Sequence, residues 1–358
     1  MVSYSDLYEK ITKAIYNNNY EKTKQLLEKA RKKNEILKLK PIYVLETFKL
    51  NNVKLVKLLM DYANENNFTL DINFKNTNEE FPLLFVAKNK NIEMLTLLFD
   101  NASENNIILN INEKYKYKTP FYFIIEEYNS EMILVFIEYA KEKNIILEKG
   151  DCGLLLKNTN GNNIIVSSLV NYSIETGNEL PINLYYITPF LIKKKYDIFK
   201  SLLYYFRKTD KKLSMNDMEI IFLKVVETNN VEIVKFMLSF INDINLILNI
   251  NATVDSDYPL LVAIQHNNIQ IFRLLFDYAN ENNILMDINK KNKSGLYPIG
   301  LASKNNNIEI VEFLKNYANE HKILLKYDIF DLSSETYNIL NEKVIINYNI
   351  IVEENRIE

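Results

Sequence analysis

The heptapeptide DYANENN fills residues 61–67 and returns unchanged at 277–283, and a near copy, NYANEHK, fills 316–322. Each copy follows a leucine-rich run. Aligned on the alanine of the motif, the preceding text repeats as well. NNVKLVKLLMDYA ends at Ala63, KNIEMLTLLFDNA at Ala102, NSEMILVFIEYA at Ala140, NNIQIFRLLFDYA at Ala279 and NNIEIVEFLKNYA at Ala318. Weaker copies end at Ala30, Ser173, Phe206 and Ile241, so nine segments recur 33 to 39 residues apart. Codon bias scatters Asn-Asn pairs through a chain, but it does not keep apolar positions in phase. A constant period of this length marks a repeat array.

Each segment reads as a helix. Between Asn91 and Ala102 the residues Ile92, Met94, Leu95, Leu97, Leu98 and Ala102 are apolar at helical spacing, too densely for a strand. A shorter apolar run stands upstream: PLLFVAK from Pro82, PFYFIIE from Pro120, PLLVAIQ from Pro259 and PIGLASK from Pro298. Proline suits the first helical turn, where its missing N–H has no intrahelical partner. Between repeats lies a polar D/N-I-N element, closed by Asn73, Asn112, Asn251 or Asn289, and then a turn or hairpin. The expected repeat is a short helix, an Asn-rich turn, a longer antiparallel helix and a hairpin. The fold class is all-α, with about nine helix pairs over residues 1–330.

These segments resemble the ankyrin repeat family. Its pattern runs D-V-N, a hairpin ending Gly-x-Thr-Pro-Leu-His, then Ala-Ala-x-x-Gly-His and Ile-Val-x-x-Leu-Leu. The best copy here is Asp287-Ile288-Asn289, Gly295-Leu296-Tyr297-Pro298, Asn307 and Ile310-Val311. Thr119-Pro120 keeps the Thr-Pro pair, and Gly161-Asn162 keeps the first residue of Gly-His. The histidine of Pro-Leu-His is replaced by Leu84, Tyr122, Leu261 and Gly300, so the family's buried histidine network is expected to be absent. The resemblance implies an ankyrin-like solenoid of helix pairs joined by hairpins.

The repeats with 38- or 39-residue spacing exceed the family's length between the second helix and D-I-N, where the heptapeptide sits. DYANEN is read as an extension of the second helix that ends on a left-handed Asn cap. The pairs that follow, Ile107-Ile108 and Ile284-Leu285, are expected to fold back onto the neighbouring helix. Residues 150–217 match the pattern least. Pro189 lies only six residues before its phase point at Lys195, which leaves a shortened helix or a broken register. Residues 331–358 read as a capping helix over Leu332–Lys343, with Ser333 or Ser334 as N-cap, and a tail from Val344 to Glu358.

Composition narrows the function. Lysine and arginine number 43 against 46 acidic residues, for a net charge of -3. Only Arg31, Arg207, Arg273 and Arg356 are arginines, the side chain best suited to phosphate and guanine. No nucleic-acid partner is expected. No apolar run reaches the 18 or so residues of a membrane helix, and the N-terminal MVSYSDLYEK lacks a signal-peptide core. A cytoplasmic or nuclear, monomeric protein without a membrane partner is expected. Asparagine is about one residue in seven. AT-rich coding explains that bias, which is given no functional weight.

Catalytic candidates are few. Cys152 is the only cysteine and His266 and His321 the only histidines. A nucleophilic cysteine needs a base, and neither histidine stands near Cys152 in sequence. Asp255 and Asp257 lack the further ligands of a calcium loop. No enzyme activity, cofactor or metal is expected; an enzyme using Cys152 is the least favoured reading.

The resemblance implies a protein partner bound on the concave face, at hairpin tips and first helices. By position the hairpin residues are Thr77, Asn78 and Glu80; Tyr115, Lys116 and Lys118; Val254, Asp255 and Asp257; and Lys293, Ser294 and Leu296. The helix-side residues are Lys88 and Asn89, Glu126 and Glu127, Gln265 and His266, and Lys304 and Asn305. Tyr115 is expected to be the exposed anchor. A non-catalytic protein-interaction module is the leading reading. A substrate-recruiting subunit of a larger complex, such as a ubiquitin ligase, with Leu332–Lys343 docking a common partner, is the alternative. Leu98 belongs to the apolar face of its helix, so Leu98→Ala should lower stability by about 2–5 kcal/mol, read as an earlier denaturation midpoint.

Overall fold

The computed structural model describes residues 4–159 and 161–341. The protein is all-α: among the described residues there are nineteen α-helices and one 3-10 turn. No strand forms there, only two isolated β-bridges. The chain divides into two compact units, Met1–Pro181 and Ile182–Glu358.

The first unit holds helix pairs α1 (Tyr4–Tyr16) with α2 (Tyr20–Lys32), α3 (Pro41–Lys49) with α4 (Val53–Glu65), and α5 (Pro82–Asn89) with α6 (Ile92–Glu104). It continues with α7 (Pro120–Glu126), α8 (Ser130–Glu142), α9 (Lys149–Asn158) and α10 (Asn163–Thr176). Odd-numbered helices pack on one another in order, and so do the even-numbered ones. The second unit repeats the plan with α11 (Leu184–Ile192), α12 (Tyr196–Lys208), α13 (Met215–Glu227), α14 (Val231–Asp243), α15 (Pro259–Gln265), α16 (Ile269–Glu281), α17 (Pro298–Lys304) and α18 (Ile308–Glu320). A 3-10 turn, Ile329–Asp331, packs on α17, and α19 (Ser334–Asn341) packs on α18. Ser333 is the N-cap there, accepting from the Thr336 N–H at 3.2 Å. The expected tail from Val344 and the end of the capping helix lie outside the described residues.

Local chemistry explains the helix boundaries. Pro41, Pro82, Pro120, Pro259 and Pro298 each open a first helix. Asn18, Asn51, Asn229, Asn267 and Asn306 then turn the chain in the left-handed conformation, at φ of 51 to 53°. The next residue, Asn19, Asn52, Asn230, Asn268 or Asn307, caps the second helix with its side-chain oxygen. The Asn-Asn pair therefore has two duties, a left-handed turn and an N-cap, and asparagine performs both well. Asparagine, read from composition as a coding bias, thus occupies structurally specific positions.

Second helices close with the heptapeptide. After α4, Asn67 is left-handed at φ 55°. The Phe68 N–H donates to the Ala63 carbonyl at 3.1 Å and the Asn67 N–H to Asn64 at 3.2 Å. That crossed pair satisfies carbonyls the helix leaves open. After α16 the same bonds run from Ile284 to Ala279 at 2.8 Å and from Asn283 to Asn280 at 3.2 Å. Tyrosine has a longer reach. Tyr62 accepts the Leu37 N–H at 3.0 Å, Tyr139 that of Leu109 at 3.1 Å and Tyr278 that of Leu248 at 2.8 Å. Each hydroxyl thus satisfies a buried N–H in the preceding repeat.

Asparagines add two further bridges. The N-cap amide donates to the left-handed asparagine of the preceding repeat: Asn52 to Asn18 at 2.6 Å, Asn91 to Asn51 at 2.9 Å and Asn268 to Asn229 at 2.7 Å. In the D-I-N element, Asn73 donates to the Ile108 carbonyl at 2.8 Å and accepts the Asn110 N–H at 3.0 Å. Asn251 does the same to Leu285 and Asp287, and Asn289 to Leu324 and Lys326. A carboxamide here stands in for a strand partner.

Two expectations change. In the Ile-Leu pairs only the first residue is partly covered. Ile108 is 63% and Leu285 56% exposed, whereas the next residues, Leu109 and Met286, are buried. The segment is extended, so alternate side chains point to opposite sides. At Pro189 the helix is not shortened. α11 starts at Leu184, capped by Asn183, and carries Pro189 inside it. The proline removes the bond to the carbonyl four residues earlier. Lys194 and Lys195 hold the two asparagine positions, with Lys194 left-handed at φ 54° and no side-chain cap on α12. No asparagine lies beneath Asn230, and that rung of the ladder is missing.

The tyrosine bridge is testable. Tyr278→Phe keeps the ring but strands the buried Leu248 N–H. The expected loss is about 1–3 kcal/mol in chemical denaturation. An unchanged midpoint would show that the hydroxyl does not carry the bond.

Candidate interaction surface

Four hairpins sit just before first helices, and they come in two designs. At Tyr115–Lys118 the N–H and carbonyl groups of the end residues exchange bonds of 2.9 and 3.1 Å. The central residues are both left-handed, Lys116 at φ 49° and Tyr117 at φ 68°. Val254–Asp257 repeats this with Asp255 at φ 51° and Ser256 at φ 72°. Such turns favour Asn-Gly, and other residues in that conformation are strained by roughly 1–2 kcal/mol each. In the second design Asn76 and Asn292 organise the loop. Asn76 accepts from the N–H groups of Asn78 and Glu80, both at 2.9 Å. Asn292 accepts from Ser294 at 3.0 Å and Leu296 at 2.9 Å. The left-handed position is Glu79 in one and Gly295 in the other.

These hairpins expose Thr77, Asn78, Lys116, Asp255, Lys293 and Ser294, and half-bury Glu80, Tyr115, Lys118, Val254, Asp257 and Leu296. On the first helices Lys88, Asn89, Glu126, Glu127, Gln265, His266 and Lys304 are exposed. Asn305 is half-buried and structural, donating to the Ile264 carbonyl at 2.6 Å. Lys304 pairs with Asp331 at 2.7 Å.

The structure brings one cluster together. Lys88 places its Nζ 3.8 Å from the Tyr115 ring centre and 5.3 Å from that of Phe123. Lys118 lies 4.2 Å over Tyr122, 5.7 Å over Phe123 and 3.5 Å from a Glu126 carboxylate oxygen. A hydrogen bond with Tyr122, then the Glu126 charge, raises the pKa of the Lys118 ammonium. Tyr115 is not the tip residue: it begins the bridge, beneath Lys88. The tip is Lys116-Tyr117, and Tyr117 is 97% exposed. Sequence reasoning passed over Tyr117, Phe85, Tyr122 and Phe123. The signal was the aromatic-rich PFYF, read only as a helix start.

In the second unit His266 helps line an open groove of about 890 Å³ with Ile192, Lys194, Tyr196, Lys224 and Glu227. It lies beside the missing rung. No group of three or more His, Cys, Asp or Glu is placed to hold a metal ion among the described residues. None of their helices is long and apolar enough to cross a membrane.

Cys152 is fully buried in α9. Burial, reinforced by the Asp151 charge, pushes its thiol up to about 12. Asp151 is also buried, and desolvation raises its pKa against the opposing bond from the Thr119 hydroxyl at 2.5 Å. A thiolate is the reactive form, so this thiol is quiet. A scan against protein-family models finds no match to the chain, and a search of curated proteins finds none either.

A thiol-specific reagent at pH 8 should label Cys152 only as fast as the protein unfolds, and at full rate in denaturant. Stability should also fall as pH rises above about 9. There the unfolded chain releases the Cys152 proton while the folded chain holds it up to about 12. Prompt labelling of folded protein would contradict this burial.

Proposed function

We propose that each compact unit is an ankyrin-like stack of helix pairs, and that the protein acts by binding another protein without catalysis of its own. The observation that carries the reading is Tyr117, 97% exposed on a strained two-residue turn that buries nothing of its ring. Aromatic side chains supply much of the energy of protein interfaces, and they do so best on rigid supports. Around it, Tyr115, Tyr122 and Phe123 are half-buried and held by lysines. The binding face is the one shared by hairpins and first helices.

Support also comes from division of labour. Second helices, heptapeptides and D-I-N asparagines are committed to bonds between repeats. The hairpin tips are not. A nucleic-acid partner is disfavoured by the net charge of -3 and by Glu126 and Glu127 on the same face.

The test compares affinity captures by full-length wild type and by Tyr117→Ala, quantified by mass spectrometry. Proteins retained by wild type should be lost or reduced at least about tenfold on the variant, as for an interface anchor. Melting temperatures should match, because Tyr117 has almost no contact to lose. Identical captures would move the binding face elsewhere.

A further inference from the structure

The cations and carboxylates around the 115–118 hairpin are unevenly paired. Glu126 is met by Lys118 at 3.5 Å and Glu127 by Lys90 at 2.7 Å. Glu80 accepts the Asn76 amide at 2.9 Å, and Glu79 lies beside Lys75. Among the described residues, Lys88, Lys116 and Lys49 have only rings as partners. Lys88 covers Tyr115 and Phe123, Lys116 lies 5.3 Å over Tyr115, and Lys49 lies 5.9 Å over Phe85. Glu46, one turn before Lys49 on α3, is the remaining carboxylate, and it is half-buried. The surface therefore presents three exposed ammonium groups without carboxylates, spread over the three rings of Tyr115, Phe123 and Phe85.

We propose that this face, formed by α3, α5, α7 and the 115–118 hairpin, binds an acidic peptide segment that carries an aromatic or aliphatic anchor. The inference rests on the reading of hairpins and first helices as the binding face, and it names the class of partner. A carboxylate satisfies an ammonium already seated on a ring without displacing it. It also meets the positive edges of the neighbouring rings. The anchor packs beside Tyr117, whose ring has no contact to give up.

Single-stranded nucleic acid fits less well. It would need a run of free ring faces for successive bases; Lys88 and Lys118 cover Tyr115 and Tyr122, and an open ring such as Tyr117 stacks a single base. The second unit supplies an internal contrast. Its matching hairpin carries Asp255 where the first carries Lys116, with Asp257 closing the bridge. An acidic segment is repelled there.

The experiment selects from a phage-displayed random dodecapeptide library on the full chain. Selected peptides are then titrated by fluorescence anisotropy. Enriched peptides should be rich in Asp and Glu around one aromatic or aliphatic residue. The double variant Lys88→Glu, Lys116→Glu should weaken them at least about tenfold, whereas Asp255→Lys should not. Matching circular dichroism and melting curves keep folding out of the comparison. Peptides without acidic enrichment that still lose affinity with Tyr117→Ala overturn the acidic class and leave the binding face standing. Peptides indifferent to all first-unit substitutions overturn both, as does a library that yields no binder. Oligouridylate bound more tightly than any peptide, with the same lysine dependence, also overturns the proposal.

Discussion

An asparagine side chain carries a donor and an acceptor at the spacing of a peptide group, and the stacking of this protein depends on that likeness. A helix pair has an apolar stripe on each side, but apolar contact does not fix register. The carboxamides do. Asn73, Asn251 and Asn289 each take the carbonyl and N–H of the next loop as a strand would. Neither partner is then left unsatisfied; these bonds lie mostly at exposed positions, so each contributes about 0.5–1.5 kcal/mol and it is their repetition that disfavours a slipped arrangement. Tyr62, Tyr139 and Tyr278 add a deeper bond of the same sense, from a second helix back to the loop before it.

Much of this was legible in the sequence. Phase and density of Ile, Leu and Val announced the second helices, and proline marked where first helices start. Asn67 and Asn283 were recognisable as left-handed caps because few other residues accept that conformation. The bridges were not legible. Asn52 meets Asn18 only after folding, and a polar residue in a turn looks the same whether it faces solvent or a neighbour. Ile108 was misread because extended and helical text of two or three residues cannot be told apart by periodicity.

The candidate surface was legible by position rather than by chemistry. The family-like pattern pointed to this hairpin, but the tip residue depended on turn type. Two left-handed residues in succession place Tyr117 outward and tuck Tyr115 beneath Lys88. Lys and Tyr are unusual in such a turn, so no local propensity pointed to it. The pairing of lysines with rings likewise joins residues far apart in the chain, as Lys88 with Tyr115.

The amide rungs also bear on how such a chain can grow. Every rung joins the same two positions of successive repeats, so its ends are interchangeable along a compact unit. Unequal crossing-over that inserts or removes one whole period restores each junction with its bonds intact. A crossover out of phase sets an amide against a side chain that cannot answer it, the situation that Lys194 and Lys195 now present to Asn230. That junction is one where the period has lapsed, while the identical heptapeptides at 61–67 and 277–283 set the same tyrosine bridge and left-handed cap at both places.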